Sequence, residues 1–139
     1  MPPENSTPLH IFIIDDDVDD QELLIEAFTE IDSCLKFSTA ANGREGFNKL
    51  IDGSVQKPDL IIVDMNMPMI NGKQFLTLIK NNPLISGLKV IMYSTSLNQK
   101  DIQETLGLGA AYYFQKPSSY SALVTELSSI LNNLKQVTL

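Results

Sequence analysis

The chain of 139 residues is short of cysteine, histidine, positive charge and long apolar runs, and each shortage closes off a class of function. Cys34 is the only cysteine, so neither a disulfide framework nor a thiolate metal cage can form within one chain. His10 is the only histidine, and with a single cysteine this leaves no soft-metal site. Ten basic residues stand against 17 acidic ones, a net charge of −7, which argues against a nucleic-acid groove or an anionic membrane surface as partner. No apolar run approaches the roughly 18 residues that span a bilayer. The first eight residues, Met1 to Pro8, carry three prolines and no apolar core of a signal peptide. A reduced, cytoplasmic protein is expected, with 1–8 as a disordered lead-in and 9–139 as one domain. A chain this long buries roughly two-thirds of its unfolded surface and needs no disulfide or structural metal to fold.

What is present alternates. Short apolar runs at 11–14, 35–39, 60–63, 88–93 and 111–114 predict strands, the first, third and fourth without polar alternation, as for strands covered on both faces. Between them, 21–31, 44–51, 73–80, 99–108 and 121–134 place apolar residues at i, i+3, i+4 spacing, the mark of helices with one buried stripe. Asn98 and Ser119 stand where the last two helices need caps. Five strand–helix repeats with short connections give an α/β fold, a parallel sheet with helices on both faces. No internal repeat, linker or second domain is visible, so an output module is not expected.

In such sheets the functional crevice lies outside the carboxyl ends of the strands. The first strand delivers Asp15, Asp16 and Asp17, and the third delivers Asp64. The fourth delivers Ser94 and Thr95, and the fifth delivers Lys116 ahead of Pro117. Carboxylates, a hydroxyl and a lysine at one edge make an all-oxygen cation site beside an anion site. Mg²⁺ prefers oxygen ligands and is held by one or two carboxylates plus phosphate oxygens. A carboxylate beside such an ion is a nucleophile toward a phosphoryl group. Asp17, Asp19, Asp20 and Glu22 read instead as a solvated cluster at a helix N-terminus.

These pieces, with Asp64-Met-Asn-Met-Pro68, Asn71-Gly72 and Gly109-Ala110 before the fifth strand, resemble the receiver domain of response regulators, the CheY-like superfamily of two-component signalling, over nearly the whole chain. The resemblance implies a flavodoxin-like doubly wound sheet of five parallel strands in the order 2-1-3-4-5. It implies that Asp64 accepts a phosphoryl group from a sensor histidine kinase or a histidine phosphotransfer protein. Mg²⁺ would be held by Asp15, Asp16, Asp64 and the backbone carbonyl of Asn66. Lys116, Ser94 and the backbone N–H of Thr95 would bind the phosphoryl group, with Tyr113 turning inward as Ser94 moves. The spacing to Lys116 favours Ser94 over Thr95 and Ser96 as the switch hydroxyl. The Lys116–Pro117 bond is expected to be cis.

With His10 at the start of a strand, the chain has no phosphodonor histidine and is not expected to be a kinase. It is expected to catalyse only its own phosphorylation and dephosphorylation. With no output module, a standalone receiver would signal by docking a protein target on the face of the fourth helix, fifth strand and fifth helix, or by forming a homodimer, as in receivers serving phytochrome kinases. Two rivals stand beside this reading. A phosphatase-like hydrolase uses Asp-x-Asp, but Asn66 occupies the second acid position and cannot transfer a proton. A degenerate receiver would act as an interaction module that is never phosphorylated.

Overall fold

The computed structural model describes residues 8–95 and 98–137. The predicted lead-in, except Pro8, and the alternative switch hydroxyl of Ser96 lie outside the described residues. The elements run β1 (His10–Ile14), α1 (Val18–Ile31), β2 (Lys36–Ala40), α2 (Gly43–Ile51), β3 (Leu60–Asp64), α3 (Gly72–Lys80), β4 (Val90–Ser94), α4 (Gln99–Gly107), β5 (Tyr112–Gln115) and α5 (Tyr120–Val137). Most helices start a residue or more before their apolar stripes, because polar caps extend them. Asp17 caps α1 by accepting from the Asp19 N–H at 2.9 Å. Asn98 caps α4 as predicted, and the Ser119 hydroxyl accepts from the Ala122 N–H at 3.2 Å.

The five strands are parallel in the order β2-β1-β3-β4-β5. The faces follow from that order and the constant handedness of crossovers. The step from β1 to β2 runs one way along the sheet, and the next three steps run the other way. Helix α1 therefore lies on one face, and α2, α3 and α4 on the other. Helix α5 returns to the α1 face.

Each face has its own core. Ile11, Ile13, Leu60, Ile62, Ile91, Tyr93 and Phe114 pack under α1 and α5. Phe12, Ile14, Ile61, Val63, Val90, Met92 and Tyr113 pack under the other three helices. The strands β1, β3 and β4 alternate faces yet stay apolar throughout, because both faces are covered.

Every peptide bond of the described chain is trans, Lys116–Pro117 included, which corrects the expectation of a cis bond there. X-Pro bonds favour trans by about 0.5–1 kcal/mol unless the surroundings select cis. The Lys116 N–H donates to the Ser94 carbonyl at 2.7 Å and closes the end of the β4–β5 ladder just before the proline.

Candidate functional site

The order reverses between β1 and β3, which opens a crevice at their carboxyl ends. Period-two alternation brings charges into it. Ile11 and Ile13 are followed on the same face by Asp15, Leu60 and Ile62 by Asp64, and Phe114 by Lys116. Asp15 is 0% exposed and Asp64 5%, whereas Asp16 is exposed. One ligand oxygen from each of Asp15, Asp16 and Asp64 lies within 4.8 Å of the others.

Each acid is held. Asp15 Oδ1 accepts from the Asp17 N–H at 2.9 Å, and Asp15 Oδ2 accepts from the Tyr93 hydroxyl. The buried Gln21 side chain donates to the Asp15 carbonyl at 2.6 Å and to the Ala40 carbonyl at 3.1 Å, fixing the turn that presents the acids. Asp64 Oδ1 accepts from the Asn66 N–H at 3.0 Å. The loop beyond is anchored where Gly72 meets Met65. A Cβ on Gly72 would stand 3.0 Å from both Met65 Cα and Met92 Sδ, so the helix N-terminus can approach this closely only with glycine there.

Lys116 Nζ lies 3.1 Å from Asp20 Oδ2 and 3.6 Å from Asp64 Oδ2. It also sits 4.7 Å above the centre of the Tyr93 ring. Burial opposes the lysine's charge, but Asp20, Asp64 and Asp15 outweigh it and hold its pKa above the ordinary value. Asp15 moves the other way from a normal carboxylate. Burial, reinforced by Asp64 and offset by Tyr93, the Asp17 N–H and Lys116, pushes it up to about 6.

That chemistry fits a hard divalent cation. The donors are all oxygen, three carboxylates crowd one point, and burial, with Asp64 beside it, holds one of them back from ionising.

Ser94 is fully buried on the α3/α4 side, and its hydroxyl accepts from the Asn66 side-chain amide at 3.1 Å. Thr95 is exposed, and its carbonyl accepts from the Gln115 side chain at 3.2 Å. Tyr113 is 7% exposed and packs in the core cluster that holds Met92 and Ala110. The structure thus gathers Asp15, Asp16, Asp64 and Lys116 into one site, with Ser94 and Asn66 at its rim.

Two participants escaped the sequence reading. Asp20, placed among solvated acids, is the nearer carboxylate to Lys116. Tyr93, counted only as a strand residue, bonds Asp15. The alternation that puts Ile91 and Tyr93 on the Asp64 face was the signal available for Tyr93. Asp20 had none, since its partner lies 96 positions along the chain.

The sequence matches the response regulator receiver domain family over residues 11–128. It is 30% identical over 133 residues to the two-component response regulator ARR17 of Arabidopsis thaliana, covering 89% of this chain and 86% of that protein. It is 27% identical over 129 residues to a protein-glutamate methylesterase/protein-glutamine glutaminase of Desulfotalea psychrophila. That match covers 93% of this chain but 34% of the longer protein, so the chain spans about a third of it. The crystal structure of the phosphorylated cyanobacterial phytochrome response regulator RcpA superposes with a TM-score of 0.81 at 28% identity, covering 88% of this chain and 91% of that one. No helix among the described residues is long and apolar enough to cross a membrane. A sheet ordered β2-β1-β3-β4-β5, acids at the ends of β1 and β3, and a family match across most of its length mean that the chain belongs to the response regulator receiver domains of two-component signalling.

Proposed function

We propose that the protein works as a response regulator receiver in which Asp64 accepts a phosphoryl group from a histidine kinase or phosphotransfer protein, with Mg²⁺ as cofactor. The observation that carries this reading is the convergence of Asp15, Asp16 and Asp64, with Lys116 3.6 Å from Asp64. In transfer, an Asp64 oxygen attacks phosphorus, the P–N bond of the donor phosphohistidine breaks, and its electron pair stays on the imidazole nitrogen. A bound Mg²⁺ supplies charge neutralisation of the phosphoryl oxygens. Asp15, Asp16 and Asp64 would hold it through carboxylates, and Asn66 through its backbone carbonyl. Lys116 gives up its pairing with Asp64 for a phosphoryl oxygen. Ser94 and the Thr95 N–H donate to the others.

The readout is a shift in a two-state equilibrium. Phosphorylation adds about −1.5 to −2 charges at one strand end. A new charge-assisted hydrogen bond from Ser94 is worth about 1.5–3 kcal/mol, short of the roughly 5.5 kcal/mol that moves a population from 1:99 to 99:1. Repacking around Tyr113 and α4 supplies the remainder. Leu106, Leu108 and Tyr112 are exposed near that region, which supports a protein-docking face along α4, β5 and α5.

Acetyl phosphate with Mg²⁺ should label the protein, and Asp64→Asn should remove the label. Label retained by Asp64→Asn would place the acceptor elsewhere. Wild-type protein that takes no label would make the chain a phosphorylation-independent interaction module.

A further inference from the structure

The acid cluster has a neighbour with no part in the transfer just described. Tyr93 precedes Ser94 on β4 and therefore projects to the opposite face of the sheet. Its register partners are Asp64 on β3 and Phe114 on β5. The ring is buried and stacks on Phe114, with centroids 5.6 Å apart and planes 15° from parallel. Its hydroxyl donates to Asp15 Oδ2, and the Lys116 ammonium lies 4.7 Å over its face. One side chain thus touches both the buried acid and the lysine of the site.

The contact to Asp15 constrains the carboxylate from a second side. A carboxylate has about four lone-pair positions. The Asp17 N–H takes one on Oδ1 and the phenol takes one on Oδ2, so the carboxylate plane is set. The free lone pairs remain for a cation or its water. A phenol O–H facing a carboxylate oxygen donates to it, so the contact holds Asp15 Oδ2 as an acceptor. Partners of this kind, one bond removed from a metal, typically change its affinity about 10–100-fold when removed. On the other side, the ring is a third neighbour for Lys116 beside Asp20 and Asp64. The Phe114 stack keeps that ring from tilting away.

We propose that Tyr93 is a positioning residue of the cation site, its hydroxyl aligning the Asp15 carboxylate and its ring seating the Lys116 ammonium between Asp20 and Asp64. The inference rests on the reading of Asp15, Asp16 and Asp64 as an Mg²⁺ site. It assigns to a single β4 side chain the alignment of Lys116 and of a carboxylate that would hold the cation, so that both positive charges facing the phosphoryl oxygens are placed by one residue.

Two variants separate hydroxyl from ring. Tyr93→Phe keeps the stack and the ring face but removes the donor. Tyr93→Leu removes both. Calorimetric titration with Mg²⁺ alone should give about tenfold weaker binding for Tyr93→Phe. A purely structural role would instead lower the unfolding midpoint and leave the affinity of the folded fraction unchanged. Tyr93→Leu should add a slower acetyl-phosphate labelling rate that raising Mg²⁺ does not recover, whereas the Tyr93→Phe deficit shrinks as Mg²⁺ is raised. Mg²⁺ affinity of folded Tyr93→Phe equal to that of the wild type overturns the proposal. Should neither variant fold, the wild type carrying ¹³Cζ-tyrosine decides. Its Tyr93 resonance should move on Mg²⁺ addition, and an unmoved resonance is equally fatal. Wild-type protein that binds Mg²⁺ but takes no phosphoryl label overturns the phosphoacceptor reading alone, and the affinity comparison still decides Tyr93.

Discussion

The two faces of the sheet are built differently, and the difference follows their work. Under α1 and α5 the buried side chains are Ile, Leu, Phe, Tyr and Ala, with two helices of 14 and 18 residues closing the layer. Under α2, α3 and α4 the helices have nine residues each, and Met65, Met67 and Met92 sit in the core. Methionine is the adaptable filler of cores. Helix α4 buries only Thr105. The first face carries Asp15, Asp64 and Lys116, groups that need fixed geometry. The second carries Ser94 and Tyr113, the groups that the proposed switch would rearrange. Branched, uniquely packed side chains hold charges in place, while unbranched ones under a lightly seated helix allow a second packing.

The most disruptive way to sharpen that contrast is to cut equal holes in both layers. Leu127→Ala, at a fully buried site on α5, should cost about 2–5 kcal/mol in urea unfolding. Met92→Ala, a hole of similar size on the other face, should fall at the low end of that range, about 2 kcal/mol, because Met65 and Met67 beside it can close the space. Equal costs would mean that the methionine face is packed as uniquely as its counterpart.

Next in size is the hydroxyl at the rim. Ser94→Ala removes a donor worth about 1.5–3 kcal/mol to the phosphorylated state. NMR spectra with a beryllofluoride mimic should show the shift at Tyr113 and α4 reduced, with the Mg²⁺-induced shifts at Asp15 and Asp16 kept. Loss of both sets would mean that the two faces act as one.

Most of this architecture was legible in the apolar runs, because strands covered on both faces and helices with one stripe leave different periods in a sequence. The strand ends were legible as chemistry, since Asp15, Asp64, Ser94 and Lys116 each terminate an apolar run. Helix starts were blurred because Asp17, Asn42 and Asn71 extend α1, α2 and α3 with polar residues that no apolar period reveals. The Asp20–Lys116 pair was hidden for a different reason. A first-turn acid reads as dipole compensation until a lysine from β5 arrives beside it. The cis expectation at Pro117 failed because it rested on family likeness, with no local residue to enforce it.

Acidity tests the charged face alone. The Asp15 carboxyl, facing Tyr93, the Asp17 N–H, Asp64 and Lys116, titrates near 6, above the 3.8 of an ordinary aspartate. The folded state therefore holds this proton more tightly than the unfolded one. The associated stability is present below the unfolded value and is lost as pH rises through about 6. Mg²⁺ needs the ionised form, so its affinity should fall about tenfold per pH unit below that point. Calorimetry across that range checks this, and a flat affinity would show that Asp15 does not face the ion. Nothing on the Ser94 side should titrate with it.

The smallest effect belongs to the outer edge of the repackable face. Lys73 on α3 reaches Asp101 and Glu104 on α4, each at 2.6 Å. All three side chains keep substantial solvent contact, so the pairs add little to global stability. Their placement matters more than their strength, because α4 has only Thr105 and the edge of Ile102 to seat it on the sheet. Lys73→Met should leave the unfolding midpoint nearly unchanged yet speed amide hydrogen exchange along α4 relative to α3. The same variant should respond more strongly to a phosphoryl mimic, since less holds α4 in its resting seat. Unaltered exchange in α4 would assign its placement to the buried contacts alone, and the looseness of this face would then lie in the methionines beneath it.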